Sequence, residues 1–319
     1  MSASKWTVAP HQIFQRCRVD RRDQAAFVGK LAIAAMLGVI GVALVVTATT
    51  IGLVTGIVLL GALYTHLVEL QHQCLHHSAF VAPGRHRPVG VLLGLPLLVS
   101  YSHYRVRHLQ HHRFLGTDRD SEFFGFDTRQ PLTVRTLLGG LFDFRRLLSV
   151  AVQCYRSWRG TWRYDDGQSS ERIRRDSMVE YRLISLLVLA AGVAALAGYG
   201  MLVVQLWLAP LLLVAIPLHF LVELPEHVRC DNDTTDVLRN TRSISGSRFT
   251  TWYTNGNNLH VEHHAAMTVP INRLPERHGE VRLLGKYVDH SYWSFYRQVL
   301  REVVANSRRP SRRRLDEIS

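Results

Sequence analysis

Between Leu31 and Gln71 the chain has no Lys, Arg or Asp, and its one acidic residue is Glu69; between Leu183 and Val222 it has no charged residue at all. A helix crosses the hydrocarbon core of a bilayer with about 20 apolar residues, and each run is about twice that long. Each therefore reads as two spans. The first divides near Thr47-Ala48-Thr49-Thr50 into spans over 31–47 and 51–71, the second near Gly198-Tyr199-Gly200 into 183–199 and 201–223. The expected fold class is an all-α integral membrane protein, four transmembrane helices in two hairpins.

Composition makes sense only after this segregation. A formal net charge of +13 over 319 residues would ordinarily suggest nucleic acid. Here every Lys and Arg lies in 1–30, 78–182 or 225–319, outside the apolar runs. Basic residues favour the cytoplasmic side. Both termini and the middle segment are thus expected in the cytoplasm, with the basic face against anionic lipid headgroups rather than nucleic acid. Because Arg16, Arg18, Arg21, Arg22 and Lys30 precede the first run and no small-residue cleavage site follows a short apolar core, that run is expected to be a retained span. The organisation reads as a cytosolic segment over 1–30, a membrane domain over 31–275 and a cytosolic segment over 276–319. The basic stretch Ser307–Arg314 near its end is expected to be disordered.

Between the hairpins, Val89–Ser100 is apolar but too short to span, and Gly94 and Pro96 interrupt it, which suits a re-entrant or interfacial helix. Arg156–Arg182, with Trp158 and Trp162 among arginines, reads either as a helix in the headgroup region or as a solvated loop. Cys17, Cys74, Cys154 and Cys230 form no close pair, so neither a disulfide framework nor a thiolate zinc site is indicated.

The chain has 17 histidines, and their spacing carries the chemistry. His72-Gln-Cys-Leu-His76 is an HxxxH; His108-Leu-Gln-His111-His112 and His260-Val-Glu-His263-His264 are both HxxHH. On a helix, residues at i, i+3 and i+4 share a face, so each motif is expected to present its imidazoles in one direction. Imidazole suits divalent iron, zinc and copper. His227 in Glu223-Leu-Pro-Glu226-His227 re-enters the cytoplasmic side close to where the second span exits, and is a ninth candidate. Isolated histidines such as His11, His66, His86, His278 and His290 are expected to be ordinary hydrogen-bonded residues. Nine nitrogens suffice for two metals with open positions, unlike a closed four-ligand structural zinc site. A metal transporter, the rival reading, would place its ligands near the bilayer midplane rather than at its cytoplasmic boundary.

These motifs resemble the three histidine boxes of the membrane-bound fatty acid desaturase and hydroxylase superfamily. His72-Gln-Cys-Leu-His76-His-Ser-Ala-Phe80 is similar to the first box, His108-Leu-Gln-His-His112-Arg-Phe-Leu-Gly-Thr-Asp-Arg-Asp120 to the second, and Asn258-Leu-His260-Val-Glu-His-His264 to the third. Gln73 stands where the first box usually has an acidic residue. Ala265-Ala266-Met267-Thr268-Val269-Pro270 replaces a more aromatic run after the third.

The resemblance implies a cytosolic helical cap holding two irons, with His72, His76, His108, His111, His112, His227, His260, His263 and His264 as ligands. His77 and His103 flank the boxes outside the ligand pattern. Glu69, Asp118, Asp120, Glu223, Glu262 and Asn258 are candidates to support the ligands, Asp120 and Glu262 foremost. The implied activity is O2-dependent desaturation of an acyl or acyl-like chain by C–H abstraction, with hydroxylation or a small non-lipid substrate as alternatives. The chain has no His-Pro-Gly-Gly haem motif, CxxC pair or GxGxxG fingerprint, so electrons are expected from a separate ferredoxin or cytochrome with its reductase.

Overall fold

The structure is a computed structural model that describes residues 18–47, 49–120, 126–164, 170–267 and 269–308. His11, Arg16, Cys17, Ala48, Thr268 and the tail beyond Arg308 lie outside them.

The protein is mostly helical, and among the described residues three helices are long and apolar enough to cross a membrane. The first, α1 (Arg21–Val46), begins ahead of the apolar run because Asp20 caps it: Oδ1 accepts from the amides of Arg22 (2.7 Å) and Asp23 (2.9 Å), while Asp23 accepts from the amide of Asp20. Arg273 then ties Asp20 and Asp23 to the C-terminal part of the chain (2.7 and 2.8 Å). Next along the chain is α2 (Thr50–Leu75), whose first turn is capped by Thr49. The two helices pack through glycines, since a Cβ on Gly56 would lie 2.8 Å from the Gly41 carbonyl. Outward, Val28, Ile33, Met36, Val39 and Ile40 are exposed, as residues facing lipid must be.

Next come α3 (His86–Gly94), α4 (Tyr101–Phe114), α5 (Val134–Leu141) and α6 (Phe144–Trp158). A single 3-10 turn, Leu95–Leu97, and a left-handed Leu98 (φ +59°) close the short apolar segment, so it does not span. The amphipathic helix falls earlier than the sequence suggested. Phe144, Leu148, Val152, Tyr155 and Trp158 form the exposed apolar face of α6, and Gly160 (φ +69°) ends it before most of the Arg156–Arg182 stretch.

The third long helix runs from Glu171 to His227. At 1.5 Å per residue a straight rod of that length would reach roughly 85 Å, nearly three hydrocarbon cores. It is not straight: Gly198 has φ +96° inside the π-helical turn Ala195–Tyr199, and further π-helical turns follow at Val204–Leu208 and Pro210–Ala215. We label its ends α7 (Glu171–Ala194) and α8 (Ile216–His227). Glu180 on α7 bonds the start of α4, and His227 on α8 meets His111 on the same α4, so the chain doubles back between them. The returning limb packs on α2, where Gly61 leaves room for the Pro210 carbonyl and Val214.

The remainder forms a cap of short elements: α9 (Val237–Asn240), β1 (Arg242–Ile244), α10 (Arg248–Tyr253), α11 (His260–Ala265), α12 (His278–Leu284), β2 (Tyr287–Asp289) and α13 (Tyr292–Arg308). The parallel β1–β2 pair is a departure from the all-helical expectation, small enough that it serves to anchor α11. Leu259, Val261, Ala265, Ile271, Leu274 and Val281 bury one side of α11 in an apolar cluster. Cys74, Cys154 and Cys230 are free thiols.

Candidate metal centre

Each box is placed by capping and hydrogen bonding near it. The first lies at the end of α2, with His72 in the last turn and His76 as the C-cap residue. Gln73, between them, donates to the Ser78 carbonyl (3.0 Å) and accepts from Asn255 (3.0 Å), stitching the box to the cap. The second box occupies α4, whose start is held by buried Glu180. That carboxylate accepts from the Ser102 amide (2.7 Å), both serine hydroxyls, Ser100 (2.8 Å) and Ser102 (2.7 Å), and Arg87 (3.0 Å). The third box is α11, fixed to β1 through Ser243 Oγ, which receives the Val261 amide (3.0 Å) and bonds Glu262. His227 ends α8, beyond which Val228 is extended.

The nine histidines meet in two groups. His72, His76, His108 and His263 form one, His111, His227, His260 and His264 the other, with ligand atoms within 4.8 Å of one another in each. In the first, Nε2 of His108 lies 2.7 Å from that of His72 and 2.9 Å from that of His76. In the second, His227 Nε2 is 3.1 Å from His111 Nε2 and 3.0 Å from His260 Nε2. His112 joins the first group, its Nε2 3.0 Å from those of His108 and His263, while its ring stacks on His264 with centroids 4.1 Å apart.

The expectation of one direction per box is corrected here. Within each HxxHH the i and i+4 residues serve one group and the i+3 residue the other, because i+3 is rotated about 60° from i and 100° from i+4.

Counting protons shows what these contacts require. Nδ1 of His111 faces Asp120 Oδ1 (2.6 Å), Nδ1 of His227 the Asn240 carbonyl (2.9 Å), and Nδ1 of His260 the Asn257 Oδ1 (3.1 Å). All three partners accept, so each proton sits on Nδ1 and each Nε2 presents a lone pair. Lone pairs converging at about 3 Å repel unless a cation lies among them. For donors about 2.1 Å from an ion, neighbouring positions are separated by about 3.0 to 3.4 Å, so the residues fit a metal. Burial, reinforced by the neighbouring imidazoles, holds His76, His112, His260, His263 and His264 well below the ordinary histidine range. Neutral imidazole is the form that binds metal.

Of the supporting candidates, Asp120 reaches a histidine of the groups directly. Glu262 does not: it bonds Ser243 and His278 (2.5 Å), because α11 turns that side toward β1 and α12. Asp118 is exposed and only 3.7 Å from Arg129, and Asn258 bonds the Ile244 carbonyl (2.6 Å) and Thr254 (3.0 Å) to shape the loop before α11. Glu223 pairs with His219 (3.4 Å). Glu69 is buried with its side chain toward Asn257, one step removed from His260. The sequence reading missed Asn257 and the Asn240 carbonyl. It also missed Glu226, whose Oε2 lies 3.3 Å from His260 Nε2, although its place beside His227 could have flagged it. His77 stacks on His86, and His103 bonds the Tyr181 hydroxyl (2.6 Å); neither enters the groups. A cavity of about 450 Å³ opens on the second group, with His111, His227 and Glu226 in its wall beside Arg107 and Arg129.

Residues 47–296 match the family described as fatty acid desaturase. Dihydrorhizobitoxine desaturase of Bradyrhizobium elkanii is similar at 26% identity over 230 residues, 67% of this chain and 63% of that protein. The chain thus spans less than two thirds of the length of this curated relative.

Proposed function

This chain belongs to the fatty acid desaturase family, and we propose that it is a membrane di-iron oxidoreductase that uses O2 to insert a C=C bond into an acyl or acyl-like substrate. The observation that carries this is the convergence of nine imidazoles in two groups, in the second of which His111, His227 and His260 hold their protons on Nδ1 and turn Nε2 lone pairs toward one another about 3 Å apart. The nine histidines would hold the metals. When bound, two irons would supply the redox chemistry by which O2, two electrons and two protons take two hydrogens from neighbouring carbons, giving an alkene and two waters.

The protein's own residues do the positioning. Asp120, Asn257 and the Asn240 carbonyl keep protons on Nδ1 so that Nε2 faces the metal. Tyr104 stacks on His72 and limits its rotation. Burial of His72, His108, His260 and His263 keeps bulk water from the centre. The electrons come from a separate ferredoxin or cytochrome with its reductase.

We read Glu171–His227 as two spans joined at Gly198, which makes four crossings in two hairpins. Residues 31–275 then form the membrane domain. The charge distribution supports placing the termini and metal centre on the cytoplasmic side.

A second reading, a small non-lipid substrate, is favoured by the charged wall of the cavity at the second group, where Arg107, Arg129, Asp127 and Glu223 stand. The similarity to an enzyme named for dihydrorhizobitoxine supports it as well. The test is mass spectrometry of lipids and small metabolites from cells with and without the protein. Loss of two hydrogens identifies desaturation, whereas gain of one oxygen identifies hydroxylation and overturns the proposed outcome. Two tightly held irons per chain are expected; zinc without O2 consumption would favour a metal-binding protein instead.

A further inference from the structure

The nine histidines supply the two groups unequally. With His112, the first has five nitrogens; the second has four. At the edge of the second stands the Glu226 carboxylate, whose Oε2 lies 3.3 Å from His260 Nε2. Because the His260 proton is committed at Nδ1 to Asn257, its Nε2 has nothing to donate, and no hydrogen bond explains this approach. A lone pair and a carboxylate oxygen repel at that distance, while neighbouring donors on one ion belong there. Asn257 Nδ2 holds Oε1 at 2.7 Å, which fixes the carboxylate with Oε2 turned toward the histidines. One asparagine therefore orients both His260 and Glu226.

We infer that Glu226 is a ligand of the second metal, so that one ion has five nitrogen donors and the other four nitrogens and a carboxylate oxygen. This rests on the di-metal reading above. An anionic oxygen donor favours the higher oxidation state of the ion it binds, and hard oxygen ligands differ in that respect from imidazole. The two irons are thereby unlike before any substrate arrives.

The test uses the full chain purified from membranes, loaded with iron and measured by Mössbauer spectroscopy and metal analysis. Glu226→Gln keeps the shape and the oxygen that accepts from Asn257 while removing the charge. The expected result is a changed signature for one iron and an unchanged one for the other, with retention at the altered site weakened at least about tenfold. Equal iron content with both signatures unchanged would overturn the inference and leave Glu226 as a support for Asn257. Should the Gln variant not be recovered from membranes, Glu226→Asp carries the same test: ligation shifts one signature only, and two unchanged signatures overturn it. If the unaltered chain holds no pair of irons, the di-metal reading itself fails, a result distinct from either.

Discussion

Asp120 and Asp118 lie two residues apart and differ in what they touch, which makes them a controlled pair. Replacing Asp120 by Ala removes the acceptor that holds the His111 proton at Nδ1, and metal retention is expected to fall about 10- to 100-fold. Asp118→Ala loses only an exposed 3.7 Å contact to Arg129 and should leave retention unchanged. Chelator competition followed by metal analysis separates them; equal effects would mean that the His111–Asp120 bond does not support the centre. His263→Ala has a harsher expected outcome, because that ring lies against His72, His76, His108 and His112. Product formation should vanish while membrane insertion persists, and retained activity would sink the assignment of the boxes as ligands.

Helix packing, at the scale of elements, depends on where a methyl group can go. A Cβ on Gly61 would meet the Pro210 carbonyl and Val214 Cγ1, both at 2.7 Å, and backbone cannot yield as a flexible side chain can. Gly61→Ala is expected to cost about 1–3 kcal/mol by forcing α2 from the returning limb. At Gly198 the added carbon meets nothing within 4 Å, yet φ of +96° remains, so Gly198→Ala should cost roughly 1–2 kcal/mol from the backbone alone. Gly192, inside α7 with open space around it, should tolerate Ala with no loss, or a gain of up to about 1 kcal/mol. Thermal unfolding in detergent gives the order; Gly192→Ala as the most damaging of the three would contradict the packing described.

Taken whole, the molecule combines long apolar helices with segments outside the apolar runs that carry its +13 charge. Electrostatic attraction raises association rates with an acidic partner and is screened by salt over about 8–10 Å. Turnover with an acidic ferredoxin at limiting concentration is therefore expected to fall as ionic strength rises from low to physiological values. A flat dependence would count against electrostatic docking. The same segregation, with the basic residues flanking apolar runs, accounts for a positive charge without calling on nucleic acid.

How much was legible follows from how far apart the deciding residues lie. Hydropathy over a few tens of residues determined the long helices, since the cost of exposing backbone to hydrocarbon depends on local composition. The i, i+3, i+4 spacing likewise determined which histidines could act together. Helix starts were missed where a polar cap lay upstream, as at Asp20.

What only the tertiary structure decided was the division of each HxxHH between two groups, and the choice of partners behind the rings. Asp120 was accessible to sequence reasoning because it follows the second box closely. Asn257 was not, for it meets Glu226 across 31 positions only in the folded chain; Glu226 adjoins His227 in sequence, but the direction of its carboxylate was set by that distant contact. Glu262 shows the converse, a carboxylate inside the box whose direction is set by β1 and α12 rather than by its neighbours in sequence. Sequence determined the chemistry available to this protein; the fold decided which donors face a common point, because that depends on contacts between distant segments.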